Sequence, residues 1–279
     1  MTATQHRNAL LDYLAMLLLA GFFLFPVVIM LVASFKPDDT TIMRHMSSAL
    51  AFVPTEVSLR NYREVFDNVA FLTAMRNSVA IVGSIVIVGL FVNSLIAYGL
   101  ARFRFRGRGF LVGLVIALII IPFESIAVPL LLIVNRLGWL DTLYVQAVPF
   151  LADAFSIFLF YQFFIQIPAD LEEAAIVDGA SRLRIYWSIV LPLSRPIIAT
   201  VTILLFLRHW GQLLWPVMVA RSQDVRPLTV AMQQFFGQQP REWGQIMAFA
   251  AMITVPVLIV YLLFNRWFVQ SIASSGVKG

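Results

Sequence analysis

Six runs of about 20 predominantly apolar residues alternate with more polar segments along this chain, at 14–35, 78–101, 110–134, 143–166, 197–220 and 246–268. Each is long enough to cross a hydrocarbon layer as a helix. None breaks into the short alternating segments of a membrane β-strand. The pattern predicts an all-α, polytopic integral membrane protein whose six spans form one domain over 1–279. The first run is longer than the apolar part of a cleaved leader and reaches Lys36-Pro37-Asp38-Asp39 without an A-x-A site, so it reads as a span. Pro26, Pro122, Pro129, Pro216 and Pro256 fall inside spans and predict kinks.

Composition agrees with the pattern. Apolar residues make up 60% of the chain and charged ones 13%, where soluble domains carry about a quarter. The net charge of +5 calls for no nucleic-acid partner, because surplus arginine collects at the inner ends of membrane spans. The run Arg102-Phe103-Arg104-Phe105-Arg106-Gly107-Arg108 therefore belongs on the cytoplasmic side of a cell membrane. With an even number of spans, both termini and the polar loop 167–196 belong there too. The absence of cysteine excludes disulfides and thiolate metal sites. Lys36 and Lys278, the two lysines, lie in no P-loop. His6, His45 and His209 are too scattered to bind a metal together. No catalytic residue, cofactor or metal site is expected in this chain.

The loop 167–196 concentrates charge in an otherwise apolar protein. Asp170 and Glu173 have the spacing of a capping box, which predicts a helix starting near Leu171. Gly179 supplies a left-handed turn, leaving a helix of about two turns that needs a surface to dock on. Leu171, Ala174 and Ala175 share one face at i, i+3, i+4. Ser181 is placed to cap a second helix, which Pro192 would end. In the long loop after the first span, Asn61 and Glu64 repeat the capping-box spacing and predict a short surface helix.

Charge also occurs inside the spans. Glu124, Asp153 and Arg208 fall near the middle of the third, fourth and fifth, where an ion is most costly. Arg208, Gln212 and Trp215 follow at i, i+4, i+7, presenting a cation, an amide and an indole on one helical face. Carboxylate, amide and aromatic plane together suit a polyol substrate. Two readings stand side by side, a substrate pathway and a packing salt bridge between Arg208 and Asp153 or Glu124. Asn93, Ser94 and Tyr98 on the second span read as interhelical hydrogen-bonding residues.

Glu173-Ala174-Ala175, Asp178-Gly179-Ala180, Tyr186, Ile189, Leu191-Pro192-Leu193 and Pro196 resemble the E-A-A loop of permease subunits in binding-protein-dependent ABC importers. Ser34-Phe35-Lys36-Pro37, Asn61-Tyr62, Ala97-Tyr98, Ala101-Arg102, Trp215-Pro216 and Val277-Lys278-Gly279 extend the likeness to carbohydrate-uptake permeases of the maltose-permease type, the shorter of two partner subunits. Trp210-Gly211 departs from the Trp-Asn frequent in such permeases, and Arg208-His209 is unusually polar there.

The resemblance implies a type I ABC importer permease fold. It implies as partners a second homologous permease, two ATPase subunits that hold the ATP and magnesium, an extracytoplasmic solute-binding protein and membrane lipid. It also implies coupling to the ATPase through Glu172, Glu173, Ala174, Ala175, Asp178, Gly179 and Ala180. A permease for another solute, such as glycerol phosphate, and a proton-coupled secondary transporter are the alternatives.

Overall fold

The computed structural model describes residues 3–53, 55–237 and 240–276, and no strand occurs among them. The chain opens with α1 (Ala3–Ser34), α2 (Asp39–His45), α3 (Arg60–Asn68) and α4 (Phe71–Arg102). Next come α5 (Arg108–Ile120), α6 (Phe123–Arg136), α7 (Tyr144–Ala147) and α8 (Ala154–Phe164). Then follow α9 (Ala169–Val177), α10 (Arg182–Ile185), α11 (Leu191–Leu193) and α12 (Arg195–Trp210). The last three are α13 (Leu214–Val219), α14 (Leu228–Gly237) and α15 (Trp243–Gly276).

All six apolar runs find a helical counterpart. Asp12–Ser34, Phe71–Arg102, Tyr144–Phe164 and Trp243–Phe264 are each long and apolar enough to cross a membrane, and two bent helix pairs bring the number to six where each pair is counted as one span. The third run bends by 101° between α5 and α6, at Ile121-Pro122. Pro122 lacks an N–H and disfavours helix in the residue before it, so the expected kink becomes a break. The fifth run does not continue to residue 220, since α12 ends at Trp210 and α13 begins only at Leu214. Pro26, Pro129 and Pro256 lie within unbroken helices. Pro216 sits in the first turn of α13, where its missing N–H costs no helical bond.

The structure divides into two compact units, Met1–Phe71 with Met232–Val255, and Leu72–Ala231 with Pro256–Gly279. In the first, Asn61 donates from Nδ2 to the carbonyls of Ser34 (3.0 Å) and Lys36 (2.8 Å), closing the end of α1. The expected helix at 60–68 is present, but Asn61 lies inside it rather than capping it; Ser58 Oγ accepts from Arg60 N instead. Asp39 receives the backbone N–H groups of Trp243 and Gly244 at the start of α15. A Cβ at Gly244 would stand 2.5 Å from Asn61 Oδ1, so glycine is required there. Lys36 is buried and donates to Leu50 O at 3.0 Å; burial pushes its ammonium below the usual lysine range.

The core of the second unit joins α4, α8 and α12 through Tyr98, Phe160, Phe164, Val201 and Leu205. Ile185, Tyr186 and Val190, from the loop 167–196, are fully buried in that same core. The segment α10–α11 is thereby seated on the spans, and it carries a π-helical stretch at Tyr186–Val190. It meets α12 at 79°.

Candidate functional site

The loop 167–196 folds as a helix, a glycine turn and a helix. α9 starts one residue after Pro168, with no side-chain cap; Asp170 and Glu172 lie in its first turn. The capping box expected from Asp170 and Glu173 is therefore not formed, because the fixed backbone of Pro168 already sets the entry to the helix. Carboxylates in that first turn still favour the positive end of the helix. Gly179 has φ +81°, and a Cβ there would meet nothing within 4 Å, so the requirement for glycine is conformational. Ser181 caps α10 as expected, accepting from Arg184 N at 3.3 Å. The helix continues through Pro192 to Leu193 and breaks at Ser194.

The residues expected to face an ATPase divide between two surfaces. Leu171, Glu173, Ala174, Asp178 and Gly179 are exposed, together with Ile176 and Val177, the latter 87% exposed. Ala175 and Ala180 turn inward and pack on the core. Glu172 is a correction to the expected contact face: it is buried, with Oε1 2.7 Å from Arg102 Nε and Oε2 3.7 Å from Arg182 Nη1. A carboxylate enclosed by two arginines is committed to its own chain. Arg102 also donates from Nη2 to Ile167 O at 2.7 Å, fastening the loop to the end of α4.

Asp153 and Arg208 meet, Nη1 to Oδ1 at 2.8 Å. Asp153 caps α8 as well, its Oδ2 accepting from Ser156 N (2.8 Å) and Oγ (2.6 Å). Its backbone N–H donates to Asn93 Oδ1 at 2.8 Å, and Asn93 Nδ2 reaches Leu151 O at 3.3 Å. Arg208 stays 56% exposed, against 15% for Asp153. Glu124 lies exposed in the first turn of α6, and neither an ion pair nor a hydrogen bond joins it to Arg208 or Asp153 among the described residues.

The shared face of Arg208, Gln212 and Trp215 is not formed, because the helix ends between the first and second of them. Gln212 is half-buried and its Oε1 lies 3.1 Å from His209 Nδ1. Trp215 is fully buried, donates from Nε1 to Val145 O at 2.9 Å and packs edge-on against Phe123 and Phe150. It is a core residue and offers no aromatic plane to a substrate. Ser94 and Tyr98 do bond between helices as expected, to the hydroxyl of Tyr186 (2.7 Å) and to Arg182 O (3.3 Å).

The model of the family described as "binding-protein-dependent transport system inner membrane component" matches residues 85–274. The chain belongs to that family. Among its relatives, the arabinooligosaccharides transport system permease protein AraQ of Halalkalibacterium halodurans is 32% identical over 256 residues, covering 91% of each chain. The trehalose/maltose transport system permease protein MalG of Thermococcus litoralis is 30% identical over 94% of each. The sn-glycerol-3-phosphate transport system permease protein UgpE of Yersinia enterocolitica is 28% identical over 97% of this chain and 99% of its own. A solved bacterial ABC transporter involved in import of the acidic polysaccharide alginate aligns with 96% of this chain at a TM-score of 0.82 and 23% identity, which bears on the fold. The chain is thus a multi-pass membrane subunit of an importer.

Proposed function

We propose that this chain is the transmembrane subunit of an ATP-driven ABC importer that moves a sugar or oligosaccharide delivered by an extracytoplasmic solute-binding protein. ATP and magnesium belong to two cytoplasmic ATPase subunits, and a second permease completes the path. The observation that carries the reading is α9. It is a two-turn helix held from behind by Glu172, with Leu171, Glu173, Ala174, Ile176 and Val177 exposed in front. Helices that short are marginal alone, and a face mixing one carboxylate with small apolar residues suits a groove on a partner. A transporter driven by protons has no use for such a surface.

The Arg208–Asp153 pair supports the choice of substrate class. Its charges cancel, while Arg208 keeps donors free for hydroxyl oxygens, an arrangement suited to a neutral polyol. A phosphate ester favours an arginine that is not already neutralised. The decisive experiment is uptake by the reconstituted complex with its binding protein. It should require ATP on the ATPase side, survive collapse of the proton gradient, and be inhibited by oligosaccharides more strongly than by glycerol phosphate. Uptake driven by a proton gradient without ATP would overturn the reading, and stronger inhibition by glycerol phosphate would replace its substrate.

A further inference from the structure

Four polar side chains of α4 hold three other segments of the second unit, Arg102, Tyr98 and Ser94 along one face and Asn93 from the side opposite Arg102. Arg102 holds Ile167 and Glu172, Tyr98 holds Arg182, Ser94 holds Tyr186, and Asn93 holds Leu151 and Asp153. One turn before Asn93, a Cβ at Gly89 would lie 3.4 Å from Leu151 O. The Arg102–Glu172 contact is the most buried of the ion pairs, at 11% and 5% side-chain exposure. Nε and Oε1 are 2.7 Å apart without hydrogen-bond alignment, so the contact is held by charge. Burying two ions seldom adds net stability, but it does commit their partners to one arrangement. From Arg102 to Asn93 is nine residues of unbroken helix, about 14 Å.

We propose that Glu172 is a positioning residue for transport. Through Arg102 it fastens α9 to α4, and α4 fastens the Asp153 segment through Asn93, so a displacement of α9 reaches the Asp153–Arg208 pair along one rigid helix. The proposal rests on α9 being the element that meets the ATPase. Glu173, exposed one residue on, makes that contact; Glu172 transmits it.

The test uses the whole complex with its binding protein in proteoliposomes, reading ATPase retention on the permease and solute moved per ATP hydrolysed. Glu172→Gln and Asn93→Ala should each keep the ATPase bound and lower solute per ATP about fivefold or more. The double variant should be no worse than the poorer single, because both interrupt one path. Arg102→Lys, which keeps the charge, should retain most of the ratio. If Glu172→Gln does not assemble, Arg102→Gln/Glu172→Gln, which leaves no buried charge unpaired, is read in its place with the same expectation.

A wild-type ratio in Glu172→Gln, or losses that multiply in the double variant, would overturn the positioning role while α9 remained the docking element. Glu173→Lys separates the two. If it too leaves ATPase retention unchanged, the docking assignment fails and the positioning role fails with it.

Discussion

Asp153 divides its carboxylate between a cap on α8 and a bond to Arg208, and the exposure of Arg208 decides what that bond is worth. A pair with one partner more than half exposed contributes roughly 0–1 kcal/mol. The substrate-pathway reading expects the pair to contribute no more than that to stability. Arg208→Gln and Asp153→Asn are therefore expected to alter melting of the purified complex by no more than about 1 kcal/mol. Asparagine retains the cap. Uptake should fall about tenfold, the equivalent of about 1.4 kcal/mol at the transport step. A stability cycle with a coupling energy above about 2 kcal/mol, recovered in the double variant, would return the pair to packing.

Asp141 supplies a second residue-level test, outside the spans. It adopts φ +60°, and its Oδ1 accepts from Arg221 N (2.8 Å), Ser222 N (2.8 Å) and Ser222 Oγ (3.1 Å). The bond from Ser222 N, ahead of that from Arg221, holds its carboxyl below the usual range. A lowered native pKa gives stability that is complete above the unfolded value near 4 and is lost as pH falls through the native one. Asp141→Asn keeps the acceptor and tolerates the backbone, so its deficit against wild type should be present at pH 7 and shrink as pH falls below about 4. Asp141→Ala leaves those N–H groups without an acceptor and should cost roughly 1–2 kcal/mol. A deficit of Asp141→Asn that does not shrink as pH falls below about 4 would exclude the charge as its origin.

Residues such as Asp153 and Arg208 were legible because charge in a span is rare. Asn93 was read as a residue that bonds between helices, and it does so; Arg102 and Asp141 as anchors were not legible, since each acts on backbone groups brought close only by folding. Trp215 was misplaced for a related reason, because its register assumed a helix unbroken past Gly211.

Among the elements, the six apolar runs were readable because 20 residues of hydropathy outweigh local irregularity. The bend at Pro122 was expected as a kink and is deeper than that; the break at 211–213 and the π-helical stretch at 186–190 were not readable, since they depend on how neighbouring helices take up freed backbone groups. The short helix α9 was legible from its charges and glycine, although its start was set by Pro168 and not by Asp170. Gly179→Val is the direct test of this element. A β-branched residue held at φ +81° costs about 1–3 kcal/mol, concentrated in a turn with no compensating contact. The subunit should still insert, while ATPase retention and stimulated hydrolysis fall; Gly179→Asn, which tolerates a positive φ, should be milder. Equal retention in wild type, Gly179→Val and Gly179→Asn would mean that the turn does not set the docking surface.

For the whole molecule, the orientation of the spans decides whether α9 can meet an ATPase at all. The Arg102 bonds to Ile167 and Glu172 bring the arginine-rich turn 102–108 and the loop 167–196 to the same end of the second unit. The excess of arginine in that turn then argues for the cytoplasmic side for both. Single cysteines in this cysteine-free chain can test it. Gly107 is a poor site because its φ of +89° strains any side chain. Arg106 and Val177 are exposed for the inner side, and Val57, 71% exposed, for the outer. In spheroplasts, an impermeant thiol reagent should label Val57→Cys alone, and permeabilisation should add Arg106→Cys and Val177→Cys. Labelling of Arg106→Cys from outside would reverse the orientation. Labelling of Val177→Cys without Arg106→Cys would contradict the Arg102–Glu172 contact itself, because one face cannot hold two residues on opposite sides of the membrane.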